Sequence, residues 1–245
     1  MSANTNDGRV AIVTGASSGI GLGITRALLE RGYRVVANSR TISQSKDLRP
    51  SANLVLMDGD ISKKETAIQV AEAAVKHFGR IDLLVNNAGI YLSKPFTEYT
   101  PEDFETMIGT NVAGYFFVTQ QGVARMRKQK SGHIVSISTV LTDQPLAGAP
   151  ISLPVITKST IPAFSRALAM EYVADGIRVN TISPGIVDTP MHVNDDHEVL
   201  KKLHPIPQLV QVSELVDALF YLEGAPMVNG ENIRIDGGAH AGAKW

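Results

Sequence analysis

TGASSGIG, residues 14–21, follows the short apolar run Val10–Val13 and precedes a stretch with helical spacing. A strand therefore changes into a helix through a turn that contains Gly15, Gly19 and Gly21. Glycines permit a tight turn and the close approach of a diphosphate, while the free N–H groups at the start of the helix face the anion. The segment predicts a nucleotide site. A turn without a ligand is the alternative, because turns need glycine anyway.

The composition limits the class of protein. The 245 residues include 23 Lys and Arg against 24 Asp and Glu, a formal charge of −1, so we expect neither nucleic acid nor an anionic membrane as a partner. With no cysteine, disulfides, thiolate catalysis and cysteine-ligated zinc are excluded. We expect a cytoplasmic protein, since the start MSANTNDGRV has no signal-peptide pattern and no window of about 18 residues is uninterruptedly apolar.

Short apolar runs alternate along the chain with amphipathic segments. The runs lie at Val10–Val13, Val35–Ala37, Leu54–Met57, Leu83–Val85, Ile134–Ile137, Val179–Ile182 and Ile233–Ile235. The amphipathic segments lie at about 20–31, 64–78, 102–129, 155–174 and 213–222, with Thr100 or Ser213 as N-caps and Pro101 in a first turn. This alternation predicts one α/β domain with a parallel sheet of about seven strands and helices on both faces.

The segment 188–211 interrupts this alternation. It is rich in proline, histidine and charge, and it is long for a connection without structure of its own, so we predict a mobile lid there. Ligands of open parallel sheets bind beyond the carboxyl ends of the strands. Polar residues and glycines do follow the predicted strands, at 38–40, 58–60, 86–89, 138–139 and 183–189.

Several spaced motifs together resemble the short-chain dehydrogenase/reductase family over nearly the whole chain. They are TGASSGIG, NNAG at 86–89, Asn111 in the fourth helix, RVNTISPG at 178–185 and GENIRIDGG at 230–238. The resemblance implies a doubly wound Rossmann-like single domain that binds NAD or NADP and transfers hydride to or from a small molecule. It also implies a homo-oligomer, a tetramer or a dimer.

The resemblance implies a role for residues around the cofactor. Gly15, Ser18, Gly19, Ile20 and Gly21 would hold the diphosphate and its ribose; Asp60 and Ile61 would flank the adenine; Asn87, Ala88 and Gly89 would line the adenosine side; and Pro184, Gly185, Val187 and Thr189 would hold the nicotinamide end. The alternative for the asparagines is that they tie loop backbone, and for Asp60 that it is a turn or cap residue.

The residues after the second strand favour NADP(H) over NAD(H). An acid at this position accepts the ribose 2′-hydroxyl, whereas an arginine suits a 2′-phosphate. Here Ser39 stands at the usual acid position and Arg40 follows it. The alternative is that Arg40 is an ordinary solvated cation.

The family's catalytic set is incomplete in this sequence. The resemblance assigns Asn111, Thr139 at the serine position and Lys158 as catalytic residues, with Lys158 also binding the nicotinamide ribose. Four residues before the lysine, where the family has a tyrosine, stands Pro154. No tyrosine occurs between Tyr115 and Tyr172, so sliding the alignment supplies none.

Other residues are candidates for the missing proton donor or for substrate contact. Tyr91 follows the NNAG motif, Ser138 precedes Thr139, and His192 begins the predicted lid, where an imidazole titrates near neutrality. The alternatives are a packing tyrosine and an exposed lid histidine. His192, His197 and His204 do not have zinc-ligand spacing, so no metal site is predicted.

Three functions remain open from the sequence. The first is an NADP(H)-dependent oxidoreductase that acts on a small carbonyl or imine with a non-standard proton donor; an iminium carbon accepts hydride without any protonation of oxygen. The second is a nucleotide-binding sensor without turnover. The third is a non-redox enzyme that reuses the pocket.

Overall fold

The computed structural model describes residues 8–242, which form one sheet with helices around it. The strands and α-helices in chain order are β1 (Val10–Thr14), α1 (Gly19–Glu30), β2 (Arg34–Ser39), β3 (Leu54–Asp58), α2 (Lys64–Phe78), β4 (Leu83–Asn86), α3 (Pro101–Ile108), α4 (Tyr115–Gln129), β5 (Gly132–Ile137), α5 (Ser152–Glu171), β6 (Ile177–Pro184), α6 (His197–Lys202), α7 (Val212–Gly224) and β7 (Asn232–Ile235).

All seven strands are parallel, in the order β3-β2-β1-β4-β5-β6-β7. The chain moves outward from β1 to β3, then crosses to β4 on the other side of β1 and continues to β7. This reversal makes β1 and β4 the switch point of the sheet, where the loops after the two strands diverge and leave a crevice. The predicted doubly wound parallel sheet is confirmed.

The core consists of two apolar clusters, one on each face of the sheet. Residues of β1 alternate between them: Ala11 and Val13 join the cluster formed with α1 and α7, whereas Val10 and Ile12 join the cluster formed with α2, α4 and α5. This is the period of two that a strand imposes on its side chains. Helices therefore cover both faces, and polar residues collect at the strand ends.

The predicted helix 102–129 is divided in the structure. α3 ends at Ile108, a π-helical turn follows over Gly109–Gly114, and α4 begins at Tyr115. A π-turn places one extra residue in the helical ladder and is frequent at functional sites. Asn111 lies in this turn, and its side chain is buried.

One of the two predicted N-caps is confirmed and the other is wrong. The Thr100 hydroxyl accepts the Asp103 N–H at 3.2 Å, and the Asp103 carboxylate accepts the Thr100 N–H at 3.0 Å, a complete capping box. Ser213, by contrast, lies within α7, whose N-cap is Gln211. Glu214 accepts the backbone N–H of Gln211 at 2.7 Å and so closes this second box, two residues earlier than the sequence suggested.

The segment 188–211 leaves the body and returns to it at neighbouring points. Val187 and Val210 form a parallel bridge, and Asp188 donates its N–H to the Val210 carbonyl at 2.9 Å. Between them lie a short turn, Pro190–His192, and the helix α6. The lid remains a prediction, with its two ends fixed at one place.

Candidate active site

The glycine turn lies between β1 and α1, at the switch point of the sheet. Gly15 and Gly19 have φ of 65° and 52°, in the left-handed region that favours glycine. A Cβ atom on Gly21 would lie 2.3 Å from the Gly15 carbonyl oxygen, and one on Gly15 would lie 2.8 Å from the Ala88 Cα. The turn is therefore folded against itself and against the loop after β4, and positions 15 and 21 have no space for a side chain.

The asparagine after β4 holds this turn in place. The Asn87 side-chain amide donates to the carbonyls of Thr14 and Gly15, at 3.0 and 3.1 Å. The buried Thr14 hydroxyl accepts the N–H groups of Asn87 and Ala88, at 3.1 and 3.0 Å. These contacts are what the backbone-tying alternative describes. Sequence reasoning missed the part of Thr14, because a threonine at a strand end gives no distinct signal.

The first turn of α1 has the features of an anion site. Ser18 is the extended N-cap, but its side chain caps no N–H of the helix. A Cβ atom on Gly19 would lie 3.3 Å from the Thr189 side chain, so the start of the predicted lid is next to the turn. The initial N–H groups of a helix lack partners within it and attract negative charge. A diphosphate fits this cradle.

The edge beyond β2 and β3 shows the residues that would face the ribose 2′ position. Ser39 Oγ is buried and has no hydrogen-bond partner among the described residues, and Arg40 is exposed. Asp58, the register partner of Ser39, is bound by the hydroxyl and the N–H of Ser43. These hydrogen bonds hold the pKa of the Asp58 carboxyl below its usual range. A hydroxyl without a partner in residues 8–242, followed in the chain by an exposed arginine, fits a phosphate oxygen.

Two further cofactor candidates lie after β3. Asp60 is exposed, and its carboxylate accepts the Ser62 N–H at 2.9 Å, which is the turn contact of the alternative interpretation. Ile61 is buried and presses against the π-turn: a Cβ atom on Gly114 would lie 2.8 Å from the Ile61 side chain. The glycine is therefore required for the close approach of these two segments.

Asn111 connects three segments beneath the site. Its side-chain oxygen accepts the Ile90 N–H at 2.8 Å, and its amide donates to the Ile90 carbonyl at 3.0 Å and to the Thr157 hydroxyl at 3.1 Å. The π-turn therefore binds the loop after β4 to α5. Thr157 was not predicted from the sequence; the only signal was its position next to Lys158.

Lys158 projects into the space that these segments enclose. Its ammonium donates to the Ile137 carbonyl at 3.2 Å, and a Cβ atom on Gly89 would lie 2.8 Å from Lys158 Nζ and 3.3 Å from Asn111 Oδ1. Gly89 thus makes room for the ammonium. Burial lowers the pKa of Lys158 to about 8. The structure brings together Asn111 and Lys158, as the sequence predicts.

Two prolines stand one turn on either side of Lys158 in α5. Pro154 is the third residue of the helix, where an N–H has no partner within the helix, so it costs no helical hydrogen bond. Pro162 lies in the interior and cannot donate to the Lys158 carbonyl. The buried Ser138 hydroxyl donates to that carbonyl instead, at 3.1 Å. Ser138 therefore faces the helix backbone, whereas Thr139 is only partly buried.

The remaining proton-donor candidates lie at the mouth of the site. Tyr91 is 45% exposed. The pKa of its phenol is raised, first by the burial of part of the ring and then by the nearby Tyr99 and Asp195, and a hydrogen bond with Ser93 opposes this shift. His192 pairs with Asp195 in the predicted lid, Nδ1 to Oδ2 2.7 Å. The charge of Asp195 thus links the lid to the loop after β4.

The loop after β6 is fixed by a histidine that the sequence analysis did not assign to the site. His204 is buried, and its Nε2 accepts the Ile186 N–H at 2.9 Å. A Cβ atom on Gly185 would lie 2.3 Å from the same nitrogen, so the ring packs directly on the loop after Pro184.

Within residues 8–242 the structure brings no three His, Asp or Glu side chains together as a metal site, and no helix is long and apolar enough to cross a membrane.

A family profile described as short chain dehydrogenase matches residues 9–199, which include the glycine turn, Asn111 and Lys158. The chain belongs to the short-chain dehydrogenase family. It is 34% identical to an acetoacetyl-CoA reductase of an Acinetobacter strain, over 95% of this chain and 98% of the relative.

Two solved structures of similar proteins hold nicotinamide cofactors. One is described as ElxO with NADP bound: TM-score 0.85, 29% identity, 96% of this chain and 99% of that chain covered. The other is a 3-ketoacyl-(acyl-carrier-protein) reductase from Brucella melitensis complexed with NADH: TM-score 0.87, 26% identity, 96% and 100% covered. This short-chain dehydrogenase is an NAD(P)-dependent oxidoreductase.

The nicotinamide supplies or accepts a hydride when it is bound, and the chain positions the reaction. The glycine turn and the start of α1 are suited to the diphosphate, and Lys158 has two N–H groups left for the nicotinamide ribose after its bond to Ile137. Thr139, partly buried at the end of β5, would offer its hydroxyl to a substrate oxygen placed there. Positioning a hydride donor beside its acceptor can itself lower the barrier by several kcal/mol.

Proposed function

We propose that this short-chain dehydrogenase is an NADPH-dependent reductase of a small carbonyl or imine that works without the family's tyrosine. The observation that carries the proposal is Pro154, which stands one helical turn before Lys158 while the surrounding site is kept. Asn111, Thr139 and Lys158 remain, but the saturated ring of Pro154 has no titratable group. The proton must come from elsewhere, or the substrate must not need one.

The preference for NADPH rests on the edge beyond β2. The orphan Ser39 hydroxyl and the exposed Arg40 would bind the 2′-phosphate, and Asp58, with its oxygens bound by Ser43, is the opposing charge. Calorimetry with NADPH and NADH tests this. We expect Arg40→Ala to weaken the binding of NADPH by about tenfold, because one charge-assisted contact is lost, and to leave the binding of NADH nearly unchanged. Equal weakening of the binding of both cofactors would show that Arg40 does not bind the 2′-phosphate.

Turnover is tested by NADPH oxidation with a small β-keto ester, chosen because the acetoacetyl-CoA reductase is a relative, and with a small cyclic imine. We expect oxidation with at least one of them. Pro154→Tyr should raise the ratio of ketone to imine turnover, because a phenol assists only the reaction that forms an alkoxide. An unchanged ratio would place the substrate oxygen away from Pro154.

Two results would replace this proposal. Tight NADPH binding without oxidation of any carbonyl or imine would favour the nucleotide-binding sensor. Product formation without a change in the redox state of the cofactor would favour a non-redox reaction in the same pocket. Closure of the segment 188–211 over the substrate is part of the proposal, and protection of this segment from proteolysis by NADPH would support it.

We also propose a homo-oligomer. Large apolar side chains are exposed on α4 and α5, among them Phe116, Ile156 and Met170, at 44%, 48% and 74% exposure. Exposed apolar patches of this kind mark protein interfaces. Light scattering should give the mass of a dimer or tetramer, and Met170→Lys should reduce it. A monomer at micromolar concentration would contradict this.

A further inference from the structure

The ammonium of Lys158 is the acidic group that the structure places deepest in the candidate site. It lies against Gly89, which Asn111 also approaches, and among residues 8–242 its one hydrogen-bond partner is the Ile137 carbonyl at 3.2 Å. In a site that kept the tyrosine, the phenol would extend from position 154, one turn away on the same face of α5. Pro154 leaves this place without a hydroxyl, so no phenol stands between the lysine and a substrate.

We infer that Lys158 itself delivers the proton to the oxygen formed by carbonyl reduction. The inference rests on the proposed reductase function. The carbonyl carbon receives hydride, the C=O π bond breaks, and the oxygen takes a proton from Nζ. The ammonium becomes an amine, which regains a proton from water. Charge and protons balance, and no further reagent is needed.

The electrostatic surroundings suit this role. The groups that face the ammonium from the loop after β4, the π-turn and the end of β5 are neutral: Gly89, the Asn111 amide and the Ile137 carbonyl. No charged side chain among the described residues contributes to the shift, and burial alone lowers the pKa of Lys158 to about 8. An acid with a pKa near the working pH is protonated before the reaction and still transfers its proton readily.

The other candidates fit less well. The pKa of Tyr91 is raised, chiefly by burial, which makes this phenol a weaker acid at neutral pH. Ser138 is turned to the Lys158 carbonyl. His192 is held by Asp195 in the lid, outside the enclosure that Gly89 and Asn111 form around the ammonium.

The position of the ammonium is also fixed from behind. Pro162 cannot donate to the Lys158 carbonyl, and Ser138 donates to it from the end of β5. The helical turn that carries Lys158 is thereby tied to the strand end that carries Thr139. The Thr139 hydroxyl, which would bind the substrate oxygen, and the Lys158 ammonium are thus held in position by the same hydrogen bond of Ser138.

Lys158→Arg is the decisive variant, since arginine keeps the positive charge and hydrogen-bond donors but does not release a proton at ordinary pH. We expect a loss of about 10²- to 10⁴-fold in ketone turnover, the usual effect of losing a general acid. Reduction of the cyclic imine, which enters as the iminium and needs no proton on oxygen, should fall by less than about fivefold. The exposed change Lys128→Arg, in the last turn of α4, is the control and should keep the ketone rate within about threefold. His192→Gln and Tyr91→Phe test the two competing donors, and neither should reproduce the loss expected for Lys158→Arg.

A second measurement does not depend on activity. NMR titration of the protein with ¹³C-labelled lysine side chains, assigned with Lys158→Arg, should give one lysine with a midpoint near 8, against about 10.4 for ordinary lysines. The ketone kcat/KM of the wild type, which reports the pKa of the enzyme free of substrate, should fall as the pH rises through the lysine midpoint, and this fall should be absent in Lys158→Arg.

The outcomes separate the inference from the function on which it rests. Ketone turnover that is unchanged in Lys158→Arg, or that is lost in His192→Gln instead, overturns the assignment of Lys158 and leaves the reductase standing. A midpoint above 10 for every lysine also overturns it. Bound NADPH without oxidation by either substrate overturns both.

Discussion

The hydroxyl of Ser138 occupies the place of a backbone N–H in α5, and its removal should destabilise the protein. The Lys158 carbonyl has no donor four residues later, because that residue is Pro162, and Ser138 supplies one at 3.1 Å. Ser138 is 4% exposed, so water cannot easily replace it. We expect Ser138→Ala to lower the free energy of unfolding by about 1–3 kcal/mol, the cost of an unsatisfied buried acceptor.

The magnitude should depend on the residue at position 162. In Pro162→Ala the backbone N–H returns, the Lys158 carbonyl gains its helical partner, and the same Ser138→Ala change should cost less than about 1 kcal/mol. The four proteins form a double-mutant cycle with an expected coupling energy of about 1–2 kcal/mol. The intrinsic effect of replacing a helical proline cancels within the cycle.

Urea unfolding followed by circular dichroism measures the cycle, at one fixed protein concentration because an oligomer links stability to concentration. Ser159→Ala is the matched control: Ser159 is exposed on the same helix, and its loss should change stability by less than about 0.5 kcal/mol. An equal cost of Ser138→Ala in both backgrounds would refute the reasoning, because the hydroxyl would then not stand in for the missing N–H.

Two other predictions concern the glycine turn and a buried histidine. Gly21→Ala would place a Cβ 2.3 Å from the Gly15 carbonyl oxygen, so the affinity for NADPH, measured by calorimetry, should fall at least about tenfold. Gly224→Ala is the control: its Cβ would have no atom within 4 Å, and the affinity should not change. His133 is buried beside Glu223, and burial lowers the pKa of its imidazole below 6.5. Below about pH 6.5 the unfolded chain therefore binds a proton at this histidine more readily than the folded protein does. The free energy of unfolding should then fall as the pH drops, by up to about 1.4 kcal/mol per pH unit. Urea midpoints at several pH values check this, and a slope from pH 6.5 to 5.5 that His133→Asn leaves unchanged would contradict it.

The strands were predictable because helices pack on both faces of the sheet and give most strand residues an apolar environment. Val10–Val13 and Leu83–Val85 each fall one residue short of a strand in the structure, and the missing residues are Thr14 and Asn86. Strand ends carry polar side chains toward the crevice, so an apolar pattern stops before the backbone ladder does. Polar residues at the strand ends therefore make the predicted end of each strand uncertain, and the same residues indicate where the site lies.

The π-turn and the backing of Lys158 were not predictable in this way. Helical periodicity averages over several turns, and one inserted residue at Gly109–Gly114 changes it too little to be noticed. The contact between Ser138 and the Lys158 carbonyl joins residues 20 positions apart, and it follows only once β5 and α5 are packed together. At Asn87 and Asp60 the same residue type suits both a ligand contact and a backbone tie, so the sequence left both interpretations open.

Cofactor binding and proton delivery depend on different parts of this molecule, and this makes them separable. The glycine turn, the start of α1 and Ser39 would surround one end of a bound cofactor, whereas Pro154 and Lys158 lie on α5. A change such as Gly21→Ala should therefore weaken every reaction that uses the nicotinamide. A change at Lys158 that keeps the charge should affect only reactions in which an oxygen must be protonated. The ratio of ketone to imine turnover thus reports on the proton donor alone, because both substrates share the bound cofactor and differ only in their need for an acid.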